Sequence, residues 1–293
     1  METPVLAPFA EVGVYRLGGD PAALGPALDE AESFYRRYGF VILRDVLDED
    51  LTSRMERECE AAQRGVLAGE LPSRYGSTQY LDDAGKIENF VNYVEHIEEL
   101  SPAVQEAATH PVMLAAIRRL IGENAWLNDS AKAGIVYQDA RPGRESGYTR
   151  IGWHSDWQAM PSLDIFPGLA FTFHIDATSP ANGFLRVVPG SHLWATPAPY
   201  RNVNNVRVPD DARPTGGYTD TPPPFEMPLG FEKIPGEIAV YAERGDIILH
   251  DSYTWHSAAR ATDDAGVRRH VRGSYFAGDE SSYREQFIKN AAR

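Results

Sequence analysis

The feature that most constrains this chain is a change of texture near Trp126. Before it, apolar residues recur at three- and four-residue spacing, as on amphipathic helices. After it, short apolar runs alternate with turn residues, and 133–139, 150–155, 168–175, 184–188, 237–241, 246–250 and 268–276 read as strands. Many short strands without helices between them close into a sandwich or barrel. The sequence therefore predicts a mainly β fold with flanking helices. A helical support region covers 26–125, and a jelly-roll core, a cupin-like double-stranded β-helix, covers 126–278.

Residues 1–25 are rich in Pro, Gly and Ala and read as an extended arm. Leu28, Ala31, Phe34 and Tyr35 share one face of a helix over 27–38, which Gly39 ends. Residues 40–43 form a short apolar strand. Asp48-Glu49-Asp50 opens a helix over 51–67, its negative charge favoured by the helix dipole. Residues 69–85 read as a loop. Ser101-Pro102 and Pro111 open two more helices, the second presenting Met113, Ile117, Leu120 and Ile121 before Gly122 closes it. Residues 194–235 are rich in Pro, Gly, Asn and Asp, and a loop that long inside a compact domain is usually functional. They are expected to form a lid insertion. No compositional break marks a linker, so 1–293 reads as one domain.

Composition narrows the partners. Against 28 basic residues stand 42 acidic ones, a net charge of -14. Such a surface repels phosphate backbones and anionic lipid, which argues against nucleic-acid and membrane partners. Cys59 is the single cysteine, so no intramolecular disulfide forms; this fits a reducing compartment, and a cytoplasmic location is expected. Cys59 itself lies in a helical stretch and reads as structural.

The chemistry centres on Trp153-His154-Ser155-Asp156-Trp157. On a strand, positions two apart point to one side. His154 and Asp156 would then supply two thirds of a 2-His-1-carboxylate metal site. Of the eight histidines, His174, His250, His256 and His270 lie in the strand region. His256 follows a polar corner after an apolar strand and is the favoured third ligand; His250, on that strand itself, is its competitor. A basic anchor follows in Val267-Arg268-Arg269-His270-Val271-Arg272. Arginine forks onto a carboxylate in a way lysine does not. If Arg268 points into the barrel, strand alternation turns His270 and Arg272 inward as well.

These segments resemble the phytanoyl-CoA dioxygenase family of Fe(II)- and 2-oxoglutarate-dependent oxygenases, which includes ectoine hydroxylase. Tyr38-Gly39-Phe40-Val41-Ile42-Leu43 is similar to its N-terminal entry, and Trp153-His154-Ser155-Asp156 to its metal motif. The most specific match is Pro180-Ala181-Asn182-Gly183-Phe184-Leu185-Arg186-Val187-Val188-Pro189-Gly190-Ser191-His192, and Gly245-Asp246 through His256 and Arg268 resembles its distal half-site. The resemblance implies that His154, Asp156 and His256 hold iron and that Arg268 receives the far carboxylate of 2-oxoglutarate. Arg268 and Arg269 both keep the family's spacing to a following aromatic residue, Tyr275 or Phe276. Arg268 is preferred because it turns the small and polar positions inward. Counting from neighbouring motifs, Thr172 and Tyr137 fall where the family contacts the cosubstrate. Trp157 and Gln158 would sit at the pocket mouth, and with His270 and Arg272 would meet the substrate. One departure is Ala258, where the family often has serine.

The implied activity uses Fe(II), 2-oxoglutarate and O2 to hydroxylate an unactivated C–H bond of a small polar metabolite of secondary or amino-acid-type metabolism, with release of succinate and CO2. Asp156 favours this over halogenation, because related halogenases lack the carboxylate. The same oxidative chemistry ending in desaturation, epoxidation or cyclisation is the alternative reading. A cupin-like metalloenzyme without 2-oxoglutarate, or a non-catalytic binding module, is a more distant one. The acyl-CoA substrate of the family's namesake does not suit so acidic a chain.

Overall fold

Helix-terminating and helix-opening residues divide the first part of the chain much as the spacing predicts. The computed structural model describes residues 13–18, 21–76, 79–80, 89–129, 134–140, 152–159, 168–195, 200–203, 206–209, 217–228, 230–263 and 266–281. The first helix is Pro21–Tyr38, starting earlier than its apolar spacing suggests. The expected extended arm is therefore helical over 21–25, because proline is accepted at a helix start, where no backbone N–H is needed. Val14–Arg16 is a strand, paired in parallel with Phe40–Arg44. At Gly39, φ is 80° and an added Cβ would lie 2.5 Å from His192 Nδ1, so a side chain there is excluded twice over.

The Glu49–Ala68 helix is capped by Asp48, whose carboxylate accepts from the Leu51 amide at 2.7 Å. It buries Leu51, Met55, Cys59, Ala62 and Val66. Ser101 caps Pro102–Ala108 in the same manner. The Pro111–Ile121 helix ends at Gly122, as its sequence indicates. The predicted loop over 69–85 contains a short 3-10 turn at Ser73–Tyr75 and a two-residue strand at Gln79–Tyr80.

Two sheets form the β core. The larger runs in the order Val14–Arg16, Phe40–Arg44, Ile247–Asp251, Gly168–His174, Arg268–Phe276, Val136–Ala140 and Tyr93–Glu95, with Trp126–Leu127 paired to the end of Arg268–Phe276. The smaller places Leu185–Val187 between Ile238–Val240 and His256–Ala258. One face of the large sheet packs on the helices. Leu43, Phe171, Phe173, Leu249 and Val271 join Met55, Cys59, Ile117 and Leu120 in one apolar core. Phe40, Ile42 and Ile248 turn the other way and meet Val187, Ile238 and Val240 of the small sheet. Farther along that inner face the residues become polar, and there the sheets enclose a cavity.

The strand expected over 150–155 is absent among its described residues. Residues 152–155 contain only an isolated bridge at His154, and Asp156–Ala159 is a short helix. Parts of the 194–235 insertion lie against the barrel, while Tyr200–Val203 and Val206–Pro209 pair with each other. Trp194, Phe225, Met227 and Ile234 pack with Trp153, Val188 and Trp255. The Trp153 indole donates to the Glu232 carbonyl at 2.8 Å, and the Arg186 guanidinium lies over the same indole, 4.6 Å from its centroid. Among the described residues, no helix is long and apolar enough to cross a membrane.

Candidate metal centre

His154 and His256 come from distant parts of the sequence and are fixed to one another by backbone pairing. Each donates its amide to the other's carbonyl, at 3.0 and 2.9 Å. His256 is itself paired with Val187 on its other side, so His154 extends the small sheet. Asp156 reaches the same point by a different route. It begins the Asp156–Ala159 helix, and that turn of backbone, not strand alternation, swings its carboxylate toward the two rings. His154 Nε2 and His256 Nε2 lie 3.9 and 3.7 Å from Asp156 Oδ1. The three ligand-type atoms are within 4.8 Å of one another.

The ring orientations suit a metal. His154 Nδ1 is 2.8 Å from the Gly152 carbonyl, and His256 Nδ1 is 2.9 Å from the Thr254 carbonyl. A carbonyl only accepts, so each Nδ1 carries the proton and each Nε2 offers its lone pair to the centre. Burial disfavours charge on the His256 imidazole, and neighbouring His250 adds to this, bringing it down to about 4; the neutral, coordinating form therefore prevails at neutral pH. Burial pushes Asp156 upward, but His256, His250, His154 and Arg272 more than offset that and hold its carboxyl below the usual range. Two imidazole Nε2 atoms and one carboxylate on one side of an open cavity form the donor set of a facial 2-His-1-carboxylate site, so these residues fit an iron ion.

The cavity continues from this centre to Arg268. The guanidinium of Arg268 is buried, its Nε has no hydrogen-bond partner among the described residues, and burial alone lowers it to about 10. It stays charged at neutral pH, and a buried charge of this kind calls for an anion. Arg269 faces the opposite way. It binds Asp176 at 2.8 Å, Glu56 at 2.6 Å and Glu60 at 2.5 Å, tying the sheet to the Glu49–Ala68 helix. The inward phase of Arg268, His270, Arg272 and Ser274 is the one observed, and all four line the cavity.

Thr172 also lines the cavity, with Oγ1 3.1 Å from His174 Nε2. Tyr137 does not. It pairs with Val271 and sits in the apolar core on the far face, where burial raises its hydroxyl. The neighbouring residue Gln138, paired with His270, takes the inward place. A one-residue slip in counting reverses the face of every strand side chain, and that slip accounts for the misplacement. Trp157 is also away from the cavity lining: its ring packs at a tilt against Tyr253 with centroids 5.3 Å apart, and its amide donates to the Ser252 carbonyl. Gln158 belongs to the Asp156–Ala159 helix, and its side chain lies outside the described residues.

His174, which the sequence did not single out for the site, belongs to it, and so does His250, weighed in the sequence only as the competing third ligand. His174 stacks on His270 with centroids 5.7 Å apart. Burial brings His174 down to about 3 and lowers His270 well below its ordinary value, so both are neutral. His250 lies with Nδ1 3.9 Å from Asp156 Oδ2. Their signal was strand phase: His174 shares its face with Thr172, and His250 with Ile248 of the inner face. A second group of ligand-type side chains, His96, Glu98 and Glu99, lies apart from this cavity, and Glu99 is already held by Tyr75 and Arg74.

Comparison with known proteins supplies the family and the fold. The family model for phytanoyl-CoA dioxygenase (PhyH) matches residues 35–271. An ectoine dioxygenase of Nocardia farcinica is 28% identical over 190 residues, covering 61% of this chain and 58% of that protein. The chain thus spans less than two thirds of that relative's length. Among solved structures, the non-heme alpha ketoglutarate dependent carbocyclase SnoK superposes with a TM-score of 0.59 at 22% identity, covering 85% of this chain and 84% of that one. The epimerase SnoN in complex with Fe3+, alpha ketoglutarate and nogalamycin RO superposes with a TM-score of 0.57 at 23% identity, covering 88% and 84%. These structural likenesses establish the jelly-roll fold. With the family model spanning most of the sequence and all three expected ligand residues in one place, the chain belongs to the phytanoyl-CoA dioxygenase (PhyH) family.

Proposed function

We propose that the chain is an Fe(II)- and 2-oxoglutarate-dependent oxygenase that hydroxylates a C–H bond of a small polar metabolite. The observation that carries the reading is the convergence of His154, Asp156 and His256 in the cavity that also contains the buried Arg268. Iron with 2-oxoglutarate and O2 supplies, when bound, an oxidant strong enough for an unactivated C–H bond, with succinate and CO2 as the other products. The protein's own tasks are to bind, orient and exclude water.

His154, Asp156 and His256 hold the metal on one side and leave the cavity side open. Arg268 receives the far carboxylate of 2-oxoglutarate through its forked donors, and that pairing satisfies a charge the fold buries. Thr172 sits across the adjacent strand from Arg272, and its hydroxyl assists in the same polar pocket. Ala258 lines the cavity with no polar group, so donors from other strands take the place of the serine that the family often carries. His270 and Arg272 favour a polar or anionic substrate over an apolar one. The packed 217–228 and 230–235 segments cover the barrel beside Trp153 and act as the lid, keeping water from the oxidant.

The test is succinate release from 2-oxoglutarate in air with added Fe(II). The reading expects slow release without substrate and none from His256→Ala. A turnover product carrying one extra oxygen supports hydroxylation; equal succinate release by wild type and His256→Ala sinks the reading.

A further inference from the structure

We propose that His250 is a positioning residue that holds the Asp156 carboxylate to a single coordinating oxygen. The proposal rests on the reading that His154, Asp156 and His256 hold iron. Three imidazoles, not two, surround Asp156, and they divide its oxygens between them. Oδ1 faces His154 Nε2 and His256 Nε2 at 3.9 and 3.7 Å, whereas Oδ2 faces His250 Nδ1 at 3.9 Å.

His250 is built into place. It is buried, and its backbone is paired on both sides, with Phe40 and with Ala170. Its ring lies 4.3 Å from that of His256, which leaves little freedom to rotate. The other acceptor near Nδ1 is the Asp251 carbonyl at 3.4 Å, at the long limit for a hydrogen bond. A small approach of the carboxylate gives Nδ1–H a stronger, charge-assisted bond to Oδ2.

His250 is not placed as a fourth ligand. The atoms that gather at the centre are two Nε2 and one carboxylate oxygen, whereas His250 presents its Nδ1 to the other oxygen of that carboxylate. Its value lies in what the metal must leave open. A metal held by three protein ligands would need its remaining positions for a chelating 2-oxo acid and O2. An Asp156 bound through both oxygens would occupy a position that the cosubstrate or O2 requires. A donor fixed on Oδ2 prevents that. Outer partners of this type orient metal ligands in many sites.

The test compares anaerobic binding of Fe(II) and then 2-oxoglutarate to wild type, His250→Phe and His250→Asn, read by the weak visible charge-transfer band and by metal analysis. Phenylalanine fills the ring volume without a donor; asparagine places an amide N–H near the position of Nδ1. We expect His250→Phe to retain Fe(II) but to weaken 2-oxoglutarate about tenfold or more, with His250→Asn close to wild type. If His250→Phe does not fold, His250→Leu serves as the variant without a donor. Wild-type 2-oxoglutarate affinity in the variant without a donor overturns the proposal, and so does loss of Fe(II) to the level of His256→Ala, which would make His250 a ligand. Absence of the band in wild type removes the underlying reading, and this proposal with it, and is distinguishable because no variant is then involved.

Discussion

At the residue scale, two adjacent arginines have opposite tasks. Arg268 and Arg269 are alike in sequence, and both keep the family's spacing to an aromatic residue. Strand alternation separates them, and the small and polar positions 270 and 274 indicated which face turns inward. Arg268→Ala should weaken 2-oxoglutarate by about a hundredfold, roughly 3 kcal/mol, while leaving the melting temperature nearly unchanged. Arg269→Ala should do the reverse, costing about 3 kcal/mol in urea unfolding because Asp176, Glu56 and Glu60 lose their shared partner. Equal effects of both substitutions on cosubstrate binding would mean that the phase argument fails. Tyr137 shows the limit of such reasoning. Along a strand, a count that slips by one residue exchanges the core face for the cavity face, and Tyr137 lies on the core face. Gln138 was the residue that the same strand turned inward.

At the scale of elements, boundaries were legible where a local chemical signal marks them. Asp48, Ser101, Pro111 and Gly122 each act at a helix end within a turn of the residues they cap. The Arg268–Phe276 strand matches its expected range. The His154–Asp156 stretch was misread as a strand because its geometry is set from elsewhere. His154 is held by a bridge to His256, and nothing in the local sequence carries that information. The Gly168–His174 strand allows a clean test of its two faces. Phe173 is fully buried in the core, and Phe173→Ala should cost about 4 kcal/mol of stability with little direct effect on ligands. Thr172→Val should leave unfolding within about 1 kcal/mol of wild type while raising the KM for 2-oxoglutarate. Urea unfolding and steady-state kinetics on both variants read the difference.

At the scale of the molecule, the cavity imposes a pH dependence. Burial lowers His174 to about 3 and His192 to about 4, well under the ordinary imidazole value. The unfolded chain therefore binds more protons than the folded one between about pH 4 and 6.5, and their contribution to stability is lost as pH falls through that window. Asp251 acts oppositely: burial raises it to about 6, so its contribution is lost as pH rises from about 4 to 6. With His250 and His270 also lowered, the imidazoles outnumber this one carboxylate. The metal-free protein should accordingly unfold at a lower urea concentration at pH 5 than at pH 7. His192→Asn, outside the cavity lining, should narrow the gap. Greater stability at pH 5 would show that Asp251 dominates. The central claim is that three side chains and one arginine make a single iron and cosubstrate site. Anaerobic addition of Fe(II) and then 2-oxoglutarate to the wild-type protein tests it most directly. The account predicts a weak visible charge-transfer band that saturates at one equivalent of each and vanishes in Asp156→Ala and His256→Ala; no band in wild type, or an unchanged band in either variant, contradicts it.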